Sequence, residues 1–169
     1  MNIIDKSNIC EIKKKMKDEF KVFLSSIKRT REFAELFSQE VKSRIFISLI
    51  GNLGVGKTTF VRFLINAISE KKIKVLSPTF PIVQVYDLPE IVIWHYDLYR
   101  LKDKSEIFSL DFDQALNNVV IVEWPEIIKD LLPKQRIEIH FLEDKDEKLS
   151  LNIKTFGNLL LKGNYKSYE

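Results

Sequence analysis

Residues Gly51-Asn52-Leu53-Gly54-Val55-Gly56-Lys57-Thr58 follow directly on the apolar run Ile45–Ile50 (IFISLI). They lead into a segment whose apolar residues Phe60, Phe63, Leu64 and Ile68 recur at helical spacing. Strand, glycine-rich turn and helix in that order leave few folds open. The run is apolar along nearly its whole length, as expected of a strand buried on both faces of a parallel sheet. Glycines at 51, 54 and 56 let the main chain turn sharply and approach a ligand with no Cβ in the way. The N–H groups so freed, and the positive end of the following helix, point at an anion. The segment fits the phosphate-loop pattern G-x-x-x-x-G-K-[ST]. In that pattern Lys57 offers a mobile charge to the β and γ oxygens of a nucleoside triphosphate, and the Thr58 hydroxyl is a natural Mg²⁺ ligand. Thr59 is positioned to donate to an α-phosphate oxygen.

The rest of the chain supplies the other elements of such a fold. Phe20–Ile27 (FKVFLSSI) reads as a short strand. Thr30 reads as the N-cap of a helix that carries Phe33, Leu36 and Phe37 on one face. Lys74–Leu76 reads as a short strand ending at Ser77-Pro78-Thr79. Ile82–Tyr86 and Ile91–Tyr96 read as two further strands, joined by a connection too short for a helical crossover and therefore a hairpin. Ser105–Leu116 is an expected helix, Val119–Val122 an apolar strand, and Pro125–Leu131 a short helix with Pro in its first turn. Arg136–Leu142 and Lys148–Lys154 alternate as strands. Strands alternating with helices imply an α/β fold of the P-loop NTPase kind, a three-layer sandwich around a mixed, mostly parallel sheet. The expected division is a Lys-rich extension over 1–19, one domain over 20–155 and a loose tail over 156–169.

Composition sets limits on partners. Apolar residues make up 45% and charged residues 30%, an ordinary globular mix that disfavours disorder. The net charge of +3 falls short of the basic footprint of a dedicated nucleic-acid module. Lys13, Lys14, Lys15 and Lys17 make the start of the chain either a solvated tail or an arm for nucleic acid. The lone cysteine, Cys10, excludes an intramolecular disulfide and a cysteine-built metal cluster. No apolar run reaches transmembrane length and the N-terminus lacks an apolar signal core, so a soluble cytoplasmic protein is expected.

A phosphate loop that performs chemistry needs a carboxylate near the metal and often a group to position water. Two apolar strands end in acids, IVIWHYD at Asp97 and VVIVE at Glu123. Both acids would lie at the carboxyl ends of strands, where open α/β sheets place their ligands. By pattern VVIVE is the better Walker-B-like run, though either acid is also a candidate cap for the next turn. Thr79, on a loop stiffened by Pro78, is placed either to sense a γ-phosphate or to cap a turn. Arg100 is a candidate for neutralising transition-state charge or for a surface salt bridge. Trp124 is a candidate for core packing or for the site. No Asn-Lys-x-Asp element for guanine is present, which tilts the base towards adenine.

Taken in order, G-N-L-G-V-G-K-T-T-F, S-P-T-F, H-Y-D-L-Y-R-L and V-E-W-P-E resemble the TsaE family, formerly YjeE. These are small bacterial P-loop ATPases of tRNA threonylcarbamoyladenosine synthesis. The resemblance covers about residues 20 to 143. It implies ATP and Mg²⁺ as ligands, held by Gly51, Asn52, Leu53, Gly54, Val55, Gly56, Lys57, Thr58 and Thr59. It implies Asp97 as a second metal contact beside Thr58, Glu123 as a catalytic or water-positioning acid that also serves the metal, and Thr79 as a switch-like residue near the γ-phosphate. It further implies Thr30 close to the nucleotide and Trp124 as a functional aromatic. The implied partners are TsaD and TsaB, with tRNA reached through that complex, and neither DNA nor a membrane. Asn52 stands where the family usually has Asp. A small-molecule kinase and a non-hydrolysing nucleotide switch are the alternative readings of the same loop.

Overall fold

The computed structural model describes residues 19–144 and 148–168. The Lys-rich start and Cys10 lie outside them. Seven strands form one sheet: β1 (Glu19–Leu24), β2 (Phe46–Ile50), β3 (Val83–Asp87), β4 (Val92–Asp97), β5 (Val119–Glu123), β6 (Arg136–Glu143) and β7 (Leu149–Phe156). Their spatial order is β1-β7-β6-β2-β5-β4-β3. The four central strands, β6-β2-β5-β4, run parallel to one another. Both flanks are antiparallel, through β6–β7, β1–β7 and the expected hairpin β3–β4. The sheet is mixed, and its parallel part is the centre that carries the phosphate loop.

Side-chain alternation divides the core between the two faces of the sheet. Ile47 and Leu49 of β2, Val119 and Ile121 of β5 and Ile93 of β4 pack with the helices α1 (Ile27–Phe37) and α2 (Lys57–Ile68). Phe46, Trp94, Tyr96, Val120 and Val122 point the other way, towards the 3₁₀ turns Lys104–Leu110 and Pro125–Leu131 and the short helix α3 (Phe112–Ala115). This gives three layers. It also explains why β2 and β5 read as unbroken apolar runs: both of their faces are covered.

Several sequence expectations are corrected. The first strand stops at Leu24, and Ser26 rather than Thr30 caps α1, its side chain accepting from the Arg29 N–H at 3.2 Å. Thr30 lies inside the helix, its hydroxyl donating back to the Ser26 carbonyl at 3.2 Å. Residues 74–76 form no strand. Their carbonyls are taken by side chains instead, Val75 O by Arg62 Nε at 3.1 Å and Leu76 O by the Tyr86 hydroxyl at 3.3 Å. The helix expected over 105–116 is broken at Asp111, which adopts left-handed φ 54° and ψ 30°; Asp tolerates that region better than most residues. The first piece is held by a capping box between Asp103 and Glu106.

Residues beyond 155 are not a loose end. Tyr165 and Tyr168 are buried, and Tyr165 stacks on Phe20 with ring centroids 4.8 Å apart. Glu40 Oε1 accepts from the Lys162 N–H, the Gly163 N–H and the Tyr165 hydroxyl. Arg29 lies over the Tyr168 ring at 4.0 Å and donates to Ser167 O at 2.7 Å. The tail is thereby fixed to both ends of α1. Among the described residues no helix is long and apolar enough to cross a membrane.

Candidate functional site

The loop between β2 and α2 has the backbone its glycines allow. Gly51, Gly54 and Gly56 sit at φ 150°, 80° and 106°. The need for glycine differs among them. A Cβ on Gly51 would meet Phe141 O at 2.8 Å, so crowding excludes a side chain as well. An added Cβ on Gly54 or Gly56 has nothing within 4 Å, so there the left-handed backbone alone favours glycine. Gly56 caps α2, and no acidic side chain occupies the first turn of that helix. The positive end of α2 therefore faces the loop uncompensated.

Lys57 opens α2 and is only 4% exposed. Its Nζ donates to Gly51 O at 2.6 Å and Asn52 O at 2.8 Å, and it lies 4.1 Å from the centroid of the Trp124 ring. Burial pulls the ammonium below the ordinary lysine range, against the opposing pull of the Glu123, Asp97 and Glu126 carboxylates.

Strand order brings the two acids together. β4 and β5 are parallel neighbours, and their register sets Asp97 opposite Glu123. β5 also pairs with β2, which ends in the loop. Glu123 thus lands beside α2, where its Oε2 accepts from the Thr58 hydroxyl at 3.0 Å. Asp97 Oδ2 accepts from the Thr79 hydroxyl at 2.5 Å, and its Oδ1 accepts from the Tyr99 N–H at 3.1 Å. Asp97 does cap the following turn, as its sequence position suggested, while its other oxygen faces Thr79. Both carboxylates are nearly buried, at 4% and 3% exposure. Two buried acids in register on neighbouring strands, beside a lysine, form a setting suited to a hard cation and polyanion together.

The remaining candidates fall into two groups around the loop. On the carboxylate side, Thr79 reaches Asp97 and is in turn 2.8 Å from the Ser77 hydroxyl. Trp124 takes left-handed φ 60° and ψ 54°, a conformation costly for a bulky residue. That turn lays its ring over Lys57 and 5.0 Å from the Tyr99 ring. On the opposite side, Thr30, Ser26, Thr59 and the Gly54–Gly56 backbone line a cleft of about 560 Å³, open to solvent. Leu53 projects outward at 72% exposure. Arg100 does not join the acids: it is exposed and stacks over Phe80 at 5.0 Å.

Two residues of the site were not singled out as site residues from sequence. Ser26 lines the cleft that Thr30 was expected to mark. His95 lies wholly buried with Nε2 2.9 Å from Glu123 Oε1. The available signal was alternation along β4: His95 and Asp97 are two residues apart and share a face.

Known proteins resemble this chain in sequence and in fold. A family model described as threonylcarbamoyl adenosine biosynthesis protein TsaE matches residues 24–151. A Rickettsia prowazekii protein named tRNA threonylcarbamoyladenosine biosynthesis protein TsaE is 45% identical over 118 residues, which span 69% of this chain and 82% of that one. The Bacillus subtilis protein of the same name is 33% identical over 129 residues, spanning 76% and 81%. The crystal structure of Bacillus subtilis YdiB superposes with a TM-score of 0.69 at 24% identity, covering 89% of this chain and 90% of that one; that likeness bears on the fold. With a match over most of its length and a sheet that sets the loop against two strand-end acids, the chain belongs to the TsaE family and has its P-loop fold.

Proposed function

We propose that this protein binds and hydrolyses ATP with Mg²⁺ in the service of tRNA threonylcarbamoyladenosine formation, acting with TsaD and TsaB. One observation carries the hydrolytic part. Thr58, from the first turn of α2, shares a hydrogen bond with Glu123 from the end of β5, and Asp97 stands next to Glu123 in the neighbouring strand. The names of the relatives support the biosynthetic role.

The donor set suits Mg²⁺. Among the described residues no group of three or more His, Cys, Asp and Glu is placed to hold a metal. Two carboxylates and a hydroxyl beside a phosphate loop match instead a small hard cation that takes its remaining ligands from phosphate and water. Thr58 and Asp97 would hold it, with Glu123 at hand. Bound there, Mg²⁺ would neutralise charge on the phosphate oxygens and so ease attack at the γ phosphorus.

The chain's own groups do the rest. Main-chain N–H groups of the loop and the end of α2 grip the phosphates. Lys57 trades its two carbonyl partners for β and γ oxygens and stabilises charge as it shifts towards the leaving group. Glu123 orients a water in line with the γ phosphorus. The water oxygen forms the new P–O bond, the bridging P–O bond to the β-phosphate breaks, ADP leaves with that electron pair, and the proton the water gives up passes to solvent. Thr79, tied to Asp97, is placed to report on whether the γ-phosphate is present.

The test is phosphate release from ATP by the purified chain with no acceptor added, run alone and with the TsaD–TsaB pair, alongside capture by that pair. Slow Mg²⁺-dependent release and nucleotide-dependent capture are expected. Phosphate transfer that needs an added small-molecule acceptor would overturn the hydrolytic reading in favour of a kinase. ATP-independent indifference of TsaD–TsaB would overturn the partnership.

A further inference from the structure

His95 is fully buried, on the middle strand of the β3-β4-β5 trio, among the apolar side chains of β4 and β5. The register sets it opposite Ile121, with Ile93 and Val119 the next pair back on the same face. A site used only for packing would be better filled by the Val and Ile that surround it, because a buried imidazole must find partners for two ring nitrogens. One nitrogen has found one. Nε2 lies 2.9 Å from Glu123 Oε1, diagonally across the strand pair. The other, Nδ1, has no hydrogen-bond partner. Since a carboxylate only accepts, Nε2 carries the proton and Nδ1 is the bare nitrogen.

The two oxygens of Glu123 are therefore held from opposite sides, Oε2 by the Thr58 hydroxyl and Oε1 by His95. These two anchors differ in kind. Thr58 belongs to the phosphate loop, and on the reading above its hydroxyl is needed for the metal. His95 has no exposed surface and sits two positions behind Asp97 and Glu123 along the strands.

We propose that His95 is a positioning residue for hydrolysis: its Nε2–H fixes the orientation of the Glu123 carboxylate when Thr58 turns to the nucleotide. The role rests on the ATPase reading. It predicts an effect on the rate of the chemical step rather than on ATP affinity, because His95 touches only the group that orients water. The unpartnered Nδ1 is what the arrangement gives up to keep a directional donor beneath the acid.

The experiment compares His95→Leu, which removes the donor at similar volume, with His95→Gln, whose amide can present an N–H near the position of Nε2. Phosphate release, KM for ATP and the melting temperature are measured for both and for the wild type. The leucine variant is expected to lose about 30-fold in kcat, within the span of general acid–base contributions, with KM changed less than about 3-fold. The glutamine variant is expected to recover to within about 5-fold of wild type while melting no higher than the leucine variant. Equal impairment of both variants in step with their melting temperatures, or an unimpaired leucine variant, overturns the role and leaves the ATPase reading standing. A wild type that binds ATP and releases no phosphate overturns both.

A second measurement does not depend on turnover or on the two His95 variants folding. The chain has two histidines, His95 and His140, so a long-range ¹H–¹⁵N correlation spectrum of the wild type, assigned with His140→Gln, reads the tautomer directly. Protonated Nε2 with bare Nδ1 at position 95 is expected. The Nδ1–H tautomer, which has nothing to donate to Glu123, would overturn the proposal.

Discussion

Replacing Lys57 by Ala is expected to lower kcat/KM for ATP by at least about 100-fold, the loss typical of removing one preorganised donor from a developing anion. Lys57 is the first residue of α2, is 4% exposed, and keeps its ammonium over the loop through Gly51 O and Asn52 O. Arg100, the other candidate cation, stacks on Phe80, whereas Lys57 is near enough to Glu123, Asp97 and Glu126 to feel their charge. The Lys57 charge therefore opposes those of the two acids and the phosphates. Alanine costs α2 nothing in helix propensity, so loss of activity should come without loss of fold. The check is steady-state phosphate release together with calorimetric titration of ATP and a circular dichroism spectrum. A folded variant with wild-type kcat/KM would remove the lysine from the mechanism.

Glu123→Gln is expected to lower kcat by about 100-fold or more while leaving ATP affinity within about 3-fold, as removal of a general base or water-orienting group does. Glutamine has the shape of glutamate. Its carbonyl oxygen can still accept from His95, and its amide can donate to the Thr58 hydroxyl, so the two anchors of the native carboxylate survive in altered form. What disappears is the negative charge and the second acceptor oxygen. Because Asp97 lies opposite Glu123 in register, removing one of two neighbouring anions also eases binding of a polyanion. The outcome separates two roles for this acid. A fall in kcat at constant affinity marks a water-orienting group; a raised Mg²⁺ requirement with little change in kcat at saturating metal marks a metal ligand. Unchanged turnover at every Mg²⁺ concentration would exclude both.

The phosphate loop was legible from sequence because it is contiguous. Three glycines, a lysine and a threonine at fixed spacing need no tertiary information to be placed, and the three glycines adopt positive φ. Strands β2 and β5 were legible because burial on both faces leaves an unbroken apolar run. The acids could be nominated as strand ends, but their meeting depends on β4 and β5 being adjacent, parallel and in a particular register. That information sits in pairing rather than in either strand alone.

The misread parts failed for identifiable reasons. Thr30 looked like a cap because it precedes the strongest part of the helical pattern, yet Ser26 comes a turn earlier and has the extended backbone a cap needs. The segment 74–76 has strand-like residues, but its carbonyls are claimed by Arg62 and Tyr86. The tail looked loose because its local pattern has no period; its order comes from two tyrosines that dock on Phe20 and Phe33, more than a hundred residues away in the chain. His95, though it flanks Asp97 in the sequence, has no role assigned from sequence because its significance lies in a diagonal contact with another strand.

The most direct test of the whole account is a crystal structure of this chain with Mg²⁺ and a nonhydrolysable ATP analogue. The expected result is phosphate oxygens within hydrogen-bonding distance of the main-chain N–H groups between Gly54 and Thr59, Lys57 Nζ moved from Gly51 O and Asn52 O onto them, and the metal on the Thr58 side of Asp97 and Glu123. An analogue bound elsewhere, or a loop left empty at saturating analogue and metal with Asp97 and Glu123 turned away from it, would contradict the account.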